Sequence, residues 1–426
     1  MKRPNILIVV MDTVRSDATQ LDRRSRNRTP VLRNLAKSGV NFTRAYSTWD
    51  STPPSHFSIL TGYVGGYQNE EVDQPESSIA YQVKKLGYRT FGVSANPNIN
   101  QRSFRMAMPF DCFIDLHELY GTLTDEEFAE VWGPIDARIR SYHAEPDPWS
   151  RLLHYSSTAH VINLLEPMFD ARRPFLGFVN LMEAHDPYFP AHKYYDPSKD
   201  RADLLPMRYR KLSPELADPA AIADPARRAQ VEKMIALAQG RPWSVSIDVR
   251  PEDLRTYRRR YDAAVREVDH GLGQIMEILK RKKLLDSTIV VITSDHGESF
   301  GEASLLTHAF DNQGDREATN RVPLLILFPP CYGIQPTRVD ELCTIADIVP
   351  TLYELLGLDP HALWSKATPG AYGRSLISLT TKKQAVVTQL AAVRPTEAPK
   401  VAVPPEQRRQ QDEEALKRFR SLGYLQ

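Results

Sequence analysis

Four segments of the chain carry aspartate, histidine or a threonine hydroxyl at places where predicted strands end. They are Met11–Thr13, Thr52–His56, Glu183–Pro187 and Ser294–Glu298. In an open α/β sheet, ligands bind just beyond the carboxyl ends of the strands, where the connecting loops converge. Carboxylates, imidazoles and a hydroxyl that meet there can hold a divalent cation and activate an oxygen nucleophile. The segments therefore predict one metal-dependent site, built from distant parts of the chain.

Thr52 is the candidate nucleophile. The two residues that follow it, Pro53 and Pro54, cannot continue a strand but suit the first turn of a helix. The run Ser55–Leu60 is then predicted to be a helix whose start points at Thr52. Free backbone N–H groups and the positive end of the helix dipole would favour an anionic group beside the hydroxyl. The alternative is that Thr52 only caps the helix.

Asp12, Asp295 and His296 are the candidate metal ligands. Each follows a predicted strand, so its side chain would emerge at the upper edge of the sheet. Mixed carboxylate and imidazole ligands suit Zn²⁺ or Mn²⁺ better than Ca²⁺, which prefers oxygen alone. We expect one divalent ion, Zn²⁺ or Mn²⁺ being favoured and Ca²⁺ or Mg²⁺ the alternatives. Each residue taken alone could instead be a capping aspartate or a buried structural histidine.

His185 and His308 are two further candidates. His185 follows another predicted strand, and His308 lies twelve residues after His296. Either could protonate a leaving oxygen, bind the oxyanion of a substrate or, with Glu183 nearby, ligate a second metal. A single histidine is more often structural, so their assignment depends on the agreement of the four segments.

The elements that would position these residues alternate between strands and helices. Short apolar runs predict buried strands at Ile6–Met11, Tyr88–Ser94, Pro174–Leu181, Thr288–Thr293 and Val322–Phe328. Helical spacing and capping residues predict helices at Thr29–Ala36, Ser77–Leu86, Tyr257–Lys280 and Ile345–Leu356. Such alternation predicts an α/β fold with a mostly parallel central sheet flanked by helices.

Composition excludes several other classes of protein. The 426 residues carry a formal net charge of +1, which gives no global attraction to nucleic acid or to an anionic membrane surface. The three cysteines form no Cys-x-x-Cys pair, so we expect structural thiols. The chain shows no signal peptide and no membrane span, which predicts a cytoplasmic protein if the sequence is complete.

The order and spacing of the motifs resemble a sulfatase-type member of the alkaline phosphatase superfamily. The resemblance runs from Pro4 to about Leu379 and returns at Ser421–Leu425. Each motif is weak alone, but together they are specific. They are Arg3–Ile6, Met11–Arg15, Pro54–His56, Leu60–Gly62, His185–Tyr188, Ser294–Glu298, Arg321–Pro323 and Asp347–Leu352.

The resemblance implies a role for each candidate residue. It makes Thr52 the nucleophile, Asp12, Asp295 and His296 the metal ligands, and His185 and His308 the residues that contact the substrate anion or leaving group. It also implies that Arg15, His56 and Asn96 bind the substrate. The partner would be a small anionic ester, and no nucleic acid is expected.

The resemblance also implies a domain plan. Residues 1–380 would form the catalytic domain, with insertions at about 115–165 and 197–250 that could cover the site. Residues 381–426 would be a short segment with a proline-rich linker and a terminal helix, in place of a full carboxy-terminal lobe.

Two departures from the family pattern bear on the reaction. Sulfatases have Cys or Ser in place of Thr52, convert it to formylglycine, and have Arg in place of His56. Thr52 cannot become that aldehyde, and members with Thr there include phosphodiesterases and phosphoethanolamine transferases. Thr13 replaces a second Asp, which argues against a sulfatase-type Ca²⁺ site.

We therefore predict a metal-dependent hydrolase or transferase that cleaves a phosphate, phosphonate or phosphodiester bond through a covalent Thr52 intermediate. One alternative is a sulfuric ester hydrolase that acts without formylglycine. The other is a non-catalytic binding protein that has kept the fold.

Overall fold

An eight-stranded mixed sheet forms the centre of the molecule, and helices cover both of its faces. The computed structural model describes residues 3–65, 73–101, 104–116, 124–142, 158–170, 172–200, 204, 225, 228, 251–302, 306–308, 312, 314–359 and 372–380. The α/β fold with a mostly parallel sheet is as predicted.

The sheet has the strand order β10-β2-β9-β6-β1-β5-β3-β4. Its strands are β1 Asn5–Met11, β2 Val40–Tyr46, β3 Arg89–Ser94, β4 Cys112–Asp115, β5 Phe175–Leu181, β6 Thr288–Thr293, β9 Arg321–Leu327 and β10 Thr337–Thr344. β9 pairs antiparallel with both of its neighbours, and the other pairs in the sheet are parallel. A separate antiparallel pair consists of β7 Ser299–Phe300 and β8 Leu306–Thr307.

The helices connect these strands across the two faces. They are α1 Pro30–Leu35, α2 Thr52–Thr61, α3 Ile79–Lys84, α4 Asp125–Ser141, α5 Thr158–Leu165, α6 Pro251–Arg281, α7 Arg316–Thr319, α8 Ile348–Leu356 and α9 Ile377–Thr380. The predicted insertion at 115–165 thus contains α4 and α5. The predicted linker and terminal helix beyond residue 380, and most of the insertion at 197–250, lie outside the described residues.

Strand β1 shows why the sheet is buried on both sides. Successive side chains of a strand point to opposite faces. Leu7 and Val9 therefore pack in one apolar cluster together with α6, whereas Ile8 and Val10 pack in the other together with α2 and α8. All four side chains are fully buried. This double burial explains why β1 is a continuous apolar run rather than an alternating one.

The order of the central strands decides where the site forms. The parallel strands β6, β1, β5 and β3 are consecutive neighbours, so their carboxyl ends lie side by side at one edge of the sheet. The segments that follow these four strands begin with Ser294, Asp12, Met182 and Ala95. The predicted convergence of the chemistry-bearing segments is therefore built into the strand order.

Two simpler expectations can be compared with the structure. Cys112, Cys331 and Cys343 are free thiols, of which Cys343 is buried and Cys331 is exposed. Across the described part of the chain, no helix combines the length and the apolar character needed to cross a bilayer.

Candidate active site

Asp12 lies at the carboxyl end of β1 and is fully buried. Its Oδ2 atom accepts hydrogen bonds from the side-chain amides of Asn96 at 2.8 Å and Asn180 at 3.0 Å. Its Oδ1 atom is buried and has no hydrogen-bond partner among the described residues. An ionised carboxylate oxygen without a partner is costly to bury, so Oδ1 is the atom available to a cation.

Asp295 follows β6 and is oriented in a similar way. Its Oδ1 atom accepts from the backbone N–H of Thr13 at 3.1 Å and of His296 at 2.8 Å. Thr13 adopts a positive φ of 59°, which directs its N–H to this carboxylate. The Oδ2 atom of Asp295 is buried and has no hydrogen-bond partner among the described residues.

His296 is fixed in one tautomer by its neighbour. Its Nδ1 atom lies 2.9 Å from the carbonyl oxygen of Gly297. Because a carbonyl can only accept, Nδ1 carries the proton in the neutral ring and Nε2 keeps its lone pair. Burial, and secondly the nearby His308, lower the pKa of His296. The neutral form with a free Nε2 is the form that binds metals.

Gly297 holds this turn against α7. A Cβ atom built at position 297 would lie 2.0 Å from the carbonyl oxygen of Ala318. The backbone N–H groups of Gly297 and Glu298 bond to the carbonyls of Thr319 and Ala318 at 2.6 and 3.1 Å. Only a residue without a side chain permits this close approach, which keeps the His296 backbone in place.

Asp12, Asp295 and His296 together fit a metal ion. One ligand atom from each of the three residues lies within 4.8 Å of the others. All three residues are fully buried, and two carboxylate oxygens without a hydrogen-bond partner among the described residues accompany the unprotonated His296 Nε2. This donor set suits Zn²⁺ or Mn²⁺. The structure thus brings together the three residues that the sequence proposed as ligands.

Thr52 is the first residue of α2, and Ser51 occupies the capping position. The Thr52 Oγ1 atom lies 3.3 Å from Nε2 of His296 and 3.4 Å from Nδ2 of Asn96. Its hydroxyl therefore faces the predicted metal ligands. The alternative that Thr52 merely caps the helix does not match this placement.

The expectation of several free N–H groups beside Thr52 is wrong in detail. Pro53 and Pro54 have no N–H, and the N–H of Ser55 bonds to the Ser51 carbonyl at 3.3 Å. The prolines that predicted the helix start also remove its donors, so the anion would depend on other groups.

His185 and His308 adjoin this centre. The His308 ring lies 4.4 Å from the His296 ring and 4.8 Å from the His185 ring, measured between centroids. His308 Nδ1 bonds to Glu298 Oε1 at 2.9 Å, and His185 Nδ1 lies 2.9 Å from the Asp186 carbonyl oxygen. Atoms of His185, Asp186 and His308 lie within 4.8 Å of one another and form a second possible ligand group.

Burial sets the charge states of His308 and of its hydrogen-bond partner Glu298. Burial and then His185 lower the pKa of His308 to about 4. Burial and then Asp186 raise the pKa of Glu298 to about 8. Both shifts favour the uncharged forms near neutral pH, as expected for groups that are removed from water.

The three predicted substrate-binding residues have protein partners. The Arg15 guanidinium pairs with Asp17 at 2.8 Å and Glu302 at 2.6 Å, and its side chain is 7% exposed. Asn96 donates to Asp12 and lies near the Thr52 hydroxyl. His56 is fully buried one turn into α2. Their contact with a substrate stays a prediction.

Sequence reasoning missed three residues of the site: Asn180, Asp186 and Glu298. Asn180 lies inside an apolar strand, where its polarity was the only signal. Asp186 and Glu298 stood within the recognised motifs but were given no role. A polar side chain near the carboxyl end of a buried strand is the signal that could have identified Asn180.

The family follows from comparison with known proteins. The sequence model of the sulfatase family matches residues 4–358. The chain belongs to the sulfatase family. The resemblance to the sulfatases is thereby confirmed, and the protein is a hydrolase. The alternative of a non-catalytic binding protein is not supported.

The relatives of this sulfatase-family chain carry the names of different hydrolase activities. An arylsulfatase of Clostridium perfringens is 25% identical over 380 residues, covering 83% of this chain and 74% of the relative. A choline-sulfatase of Rhizobium meliloti is 24% identical over 432 residues, covering 94% and 76%. The phosphonate monoester hydrolase of Agrobacterium radiobacter has a similar structure, with a TM-score of 0.59 and 22% identity over 89% of this chain and 77% of that one. This last likeness concerns the fold.

Proposed function

We propose that this sulfatase-family hydrolase cleaves a phosphorus ester, a phosphate, phosphonate or phosphodiester, through a covalent intermediate on Thr52. The observation that carries the proposal is the 3.3 Å separation between Thr52 Oγ1 and His296 Nε2. His296 belongs to the same group of candidate ligands as Asp12 and Asp295, two buried residues that each have one carboxylate oxygen without a hydrogen-bond partner among the described residues. An alcohol becomes a useful nucleophile only when its environment stabilises the alkoxide.

Asp12, Asp295 and His296 would hold one divalent ion, Zn²⁺ or Mn²⁺ by their donor atoms. When bound, such an ion supplies positive charge that lowers the pKa of a neighbouring hydroxyl and stabilises anionic oxygens. Hydrogen bonds within the protein orient the two carboxylates before the ion binds. Asn96 and Asn180 occupy one oxygen of Asp12, and backbone N–H groups occupy one oxygen of Asp295.

Thr52 would carry the bond-making step. Its hydroxyl proton leaves to solvent, its oxygen forms a bond to phosphorus, and the bond from phosphorus to the leaving oxygen breaks. Water or an acceptor alcohol then forms a new bond to phosphorus, the bond from phosphorus to Thr52 Oγ1 breaks, and Thr52 regains a proton as the attacking oxygen loses one. The bond from Asn96 Nδ2 to Thr52 Oγ1, at 3.4 Å, orients the nucleophile. Positioning of this kind supplies much of the rate in phosphoryl transfer.

His185 and His308 would act on the leaving side of the substrate. His185 Nδ1 faces the Asp186 carbonyl oxygen and His308 Nδ1 faces Glu298 Oε1, so each ring presents Nε2 away from its partner. The His308 ring is uncharged near neutral pH. A ring that takes up a proton beside the anionic substrate can donate it from Nε2 to the leaving oxygen, and an unprotonated Nε2 can ligate a cation. We assign the two residues to the leaving group and keep a second cation at His185, Asp186 and His308 as the alternative.

Phosphorus is preferred over sulfur because of the chemistry of threonine. A covalent sulfate on formylglycine is released by elimination from the aldehyde hydrate, a route that Thr52 does not offer. A phosphorylated alcohol is released by attack at phosphorus, as in other covalent phosphoryl transfers. The substrate would be a small anionic ester.

Cleavage of a sulfuric ester is the second candidate, because the curated relatives include an arylsulfatase and a choline-sulfatase. In that reaction Thr52 would bond to sulfur instead of phosphorus, and the metal ligands would keep their roles. Only the substrate separates the two candidates.

The test compares four classes of chromogenic ester on the metal-loaded protein: aryl sulfate, phosphate monoester, phosphodiester and phosphonate monoester. We expect turnover of a phosphorus ester and a mass increase on the peptide that contains Thr52 after acid quench. Thr52→Ala should abolish turnover and the adduct while keeping weakened metal binding. Ser51→Ala changes the neighbouring hydroxyl and serves as the control.

Near-full activity of Thr52→Ala would show that Thr52 is not the nucleophile. Turnover of the aryl sulfate alone would instead select the sulfuric ester reaction. An adduct that stays on the protein when Thr52 is replaced would assign the covalent step to another residue.

A further inference from the structure

Asn180 connects the metal ligands to the helix that carries Thr52. It lies on β5 and pairs with Val10 of β1, two residues before Asp12 in the chain. Its Nδ2 atom is 3.0 Å from Asp12 Oδ2 and 3.3 Å from His56 Nε2. The three side chains come from three different elements and are fully buried.

The orientation of the Asn180 amide follows from its partners. His56 Nδ1 lies 2.9 Å from the carbonyl oxygen of Thr52, so in the neutral ring Nδ1 carries the proton and Nε2 accepts. Asp12 Oδ2 is an acceptor as well. The NH₂ group of Asn180 must therefore face both atoms, since the reversed amide would oppose acceptor to acceptor.

The Oδ1 atom of Asn180 is buried and has no hydrogen-bond partner among the described residues. An unpartnered buried amide oxygen destabilises the fold by about 1–3 kcal/mol. An apolar side chain would fill this strand position, within a run of apolar residues, at lower cost. The presence of an amide with one unsatisfied end at this position indicates that its two donated hydrogen bonds serve the site.

We propose that Asn180 is a positioning residue. It fixes the side chain of Asp12 relative to the first turn of α2, which carries Thr52. One amide hydrogen fixes Oδ2 of Asp12, which leaves Oδ1 free. The other fixes His56, whose Nδ1–H holds the backbone carbonyl of Thr52. Position 56 thus has a role without contact with the substrate. The inference rests on the proposed metal site and on Thr52 as the nucleophile.

Metal binding tests the first half of this proposal without any substrate. Mn²⁺ is titrated into the metal-free protein and the free ion is measured by electron paramagnetic resonance. Asn180→Leu should weaken Mn²⁺ binding by about tenfold to a hundredfold, the usual effect of removing a group that orients a metal ligand. Asn5→Leu is the control, because Asn5 is a buried asparagine at the opposite end of the neighbouring strand β1.

Kinetics at saturating Mn²⁺ test the second half, with the phosphorus ester that the protein turns over. Asn180→Leu should lower kcat by about tenfold and leave KM nearly unchanged, because Asn180 orients Thr52 rather than the substrate. If the effect passes through His56, the double variant with His56→Leu should lose less kcat than the product of the two single losses. Multiplicative losses would contradict this connection.

The outcomes separate this inference from the proposed function. If the wild type binds Mn²⁺ and Asn180→Leu binds it with the same affinity, the positioning role is overturned and the metal site stands. Wild-type protein that binds no Mn²⁺ overturns the metal site and this inference together. Should the leucine variant not fold, Asn180→Ser replaces it, because a serine hydroxyl is too short to reach both partners and predicts the same losses.

Discussion

His296 Nε2 and Thr52 Oγ1 lie 3.3 Å apart although 244 positions separate the two residues in the chain. The contact exists because β6 ends, and α2 begins, at the same edge of the sheet. Asp295, immediately before His296, adds a carboxylate whose Oδ2 atom has no hydrogen-bond partner in the described part of the chain.

Asp295→Asn should remove most of the affinity for a divalent ion. The substitution keeps the shape of the side chain and removes the negative charge that a cation requires. Loss of a direct ligand should weaken Mn²⁺ or Zn²⁺ binding by more than about a hundredfold, since groups that only orient ligands account for ten- to a hundredfold. Isothermal titration calorimetry measures the change. Asp286→Asn, in an exposed turn before the same strand, should bind like the wild type.

His308→Gln should lower kcat by about a hundredfold or more while leaving the metal content at one ion per chain. The expected loss is the usual contribution of a group that transfers a proton to the leaving oxygen. Elemental analysis of the purified variant gives the metal content, and the exposed His192→Gln is the control. Two ions in the wild type and one in His308→Gln would instead assign His185, Asp186 and His308 to a second cation.

Arg15→Leu should reduce stability more than substrate affinity. The guanidinium pairs with Asp17 and Glu302 and donates to the Glu298 carbonyl at 2.8 Å. Removing a buried partner leaves carboxylates uncompensated, and we expect a loss of about 2–3 kcal/mol in urea unfolding because the two acids are part-exposed. KM should change little. A large rise in KM at unchanged stability would mean that Arg15 binds the substrate, as the sequence predicted.

Asp269 should make stability depend on pH in a mildly acidic range. It lies on α6, and its carboxylate accepts from the N–H groups of Val31 and Leu32 in the first turn of α1. Burial raises its pKa from 3.8 to about 6, although these two hydrogen bonds act in the opposite direction. Between those pH values the folded chain binds more protons than the unfolded chain, so this residue's contribution to stability falls as pH rises.

Asp269→Asn tests this by removing the titration. Its unfolding free energy should fall less between pH 4 and pH 6 than that of the wild type, by about 2 kcal/mol. The variant should also lose about 1 kcal/mol at all pH values, because an amide oxygen can replace only one of the two carboxylate acceptors. Parallel slopes for the two proteins would show that Asp269 keeps an ordinary pKa.

The fold was predictable where side-chain pattern and burial agree. Strands β1, β5 and β6 are mostly apolar and buried, and each is followed within four residues by a candidate ligand or histidine. Strand β10 escaped prediction because it is an edge strand whose exposed residues include Arg338, Asp340 and Glu341. The reversed direction of β9 was also not predicted, since an apolar run carries no information about direction.

Within the site, sequence order predicted which residues meet but not how they are held. Asp12, Thr52 and His296 could be grouped because motifs mark them. The contacts of Asn180 with Asp12 and His56 could not, because they depend on the alignment of β5 with β1 and on the rotation of α2. Likewise the ion pairs of Arg15 depend on Glu302, which lies in a loop without a recognisable pattern.

The pairing of β1 with both β5 and β6 has a consequence for how the protein is made. A ribosome releases β1 first, yet its neighbours begin only at residues 175 and 288. During synthesis the apolar first strand must remain unpaired until those stretches emerge, a period in which it can associate wrongly. Catalytic competence should thus arise late and all at once, and nascent chains that stop short of His296 should contain no working centre at all.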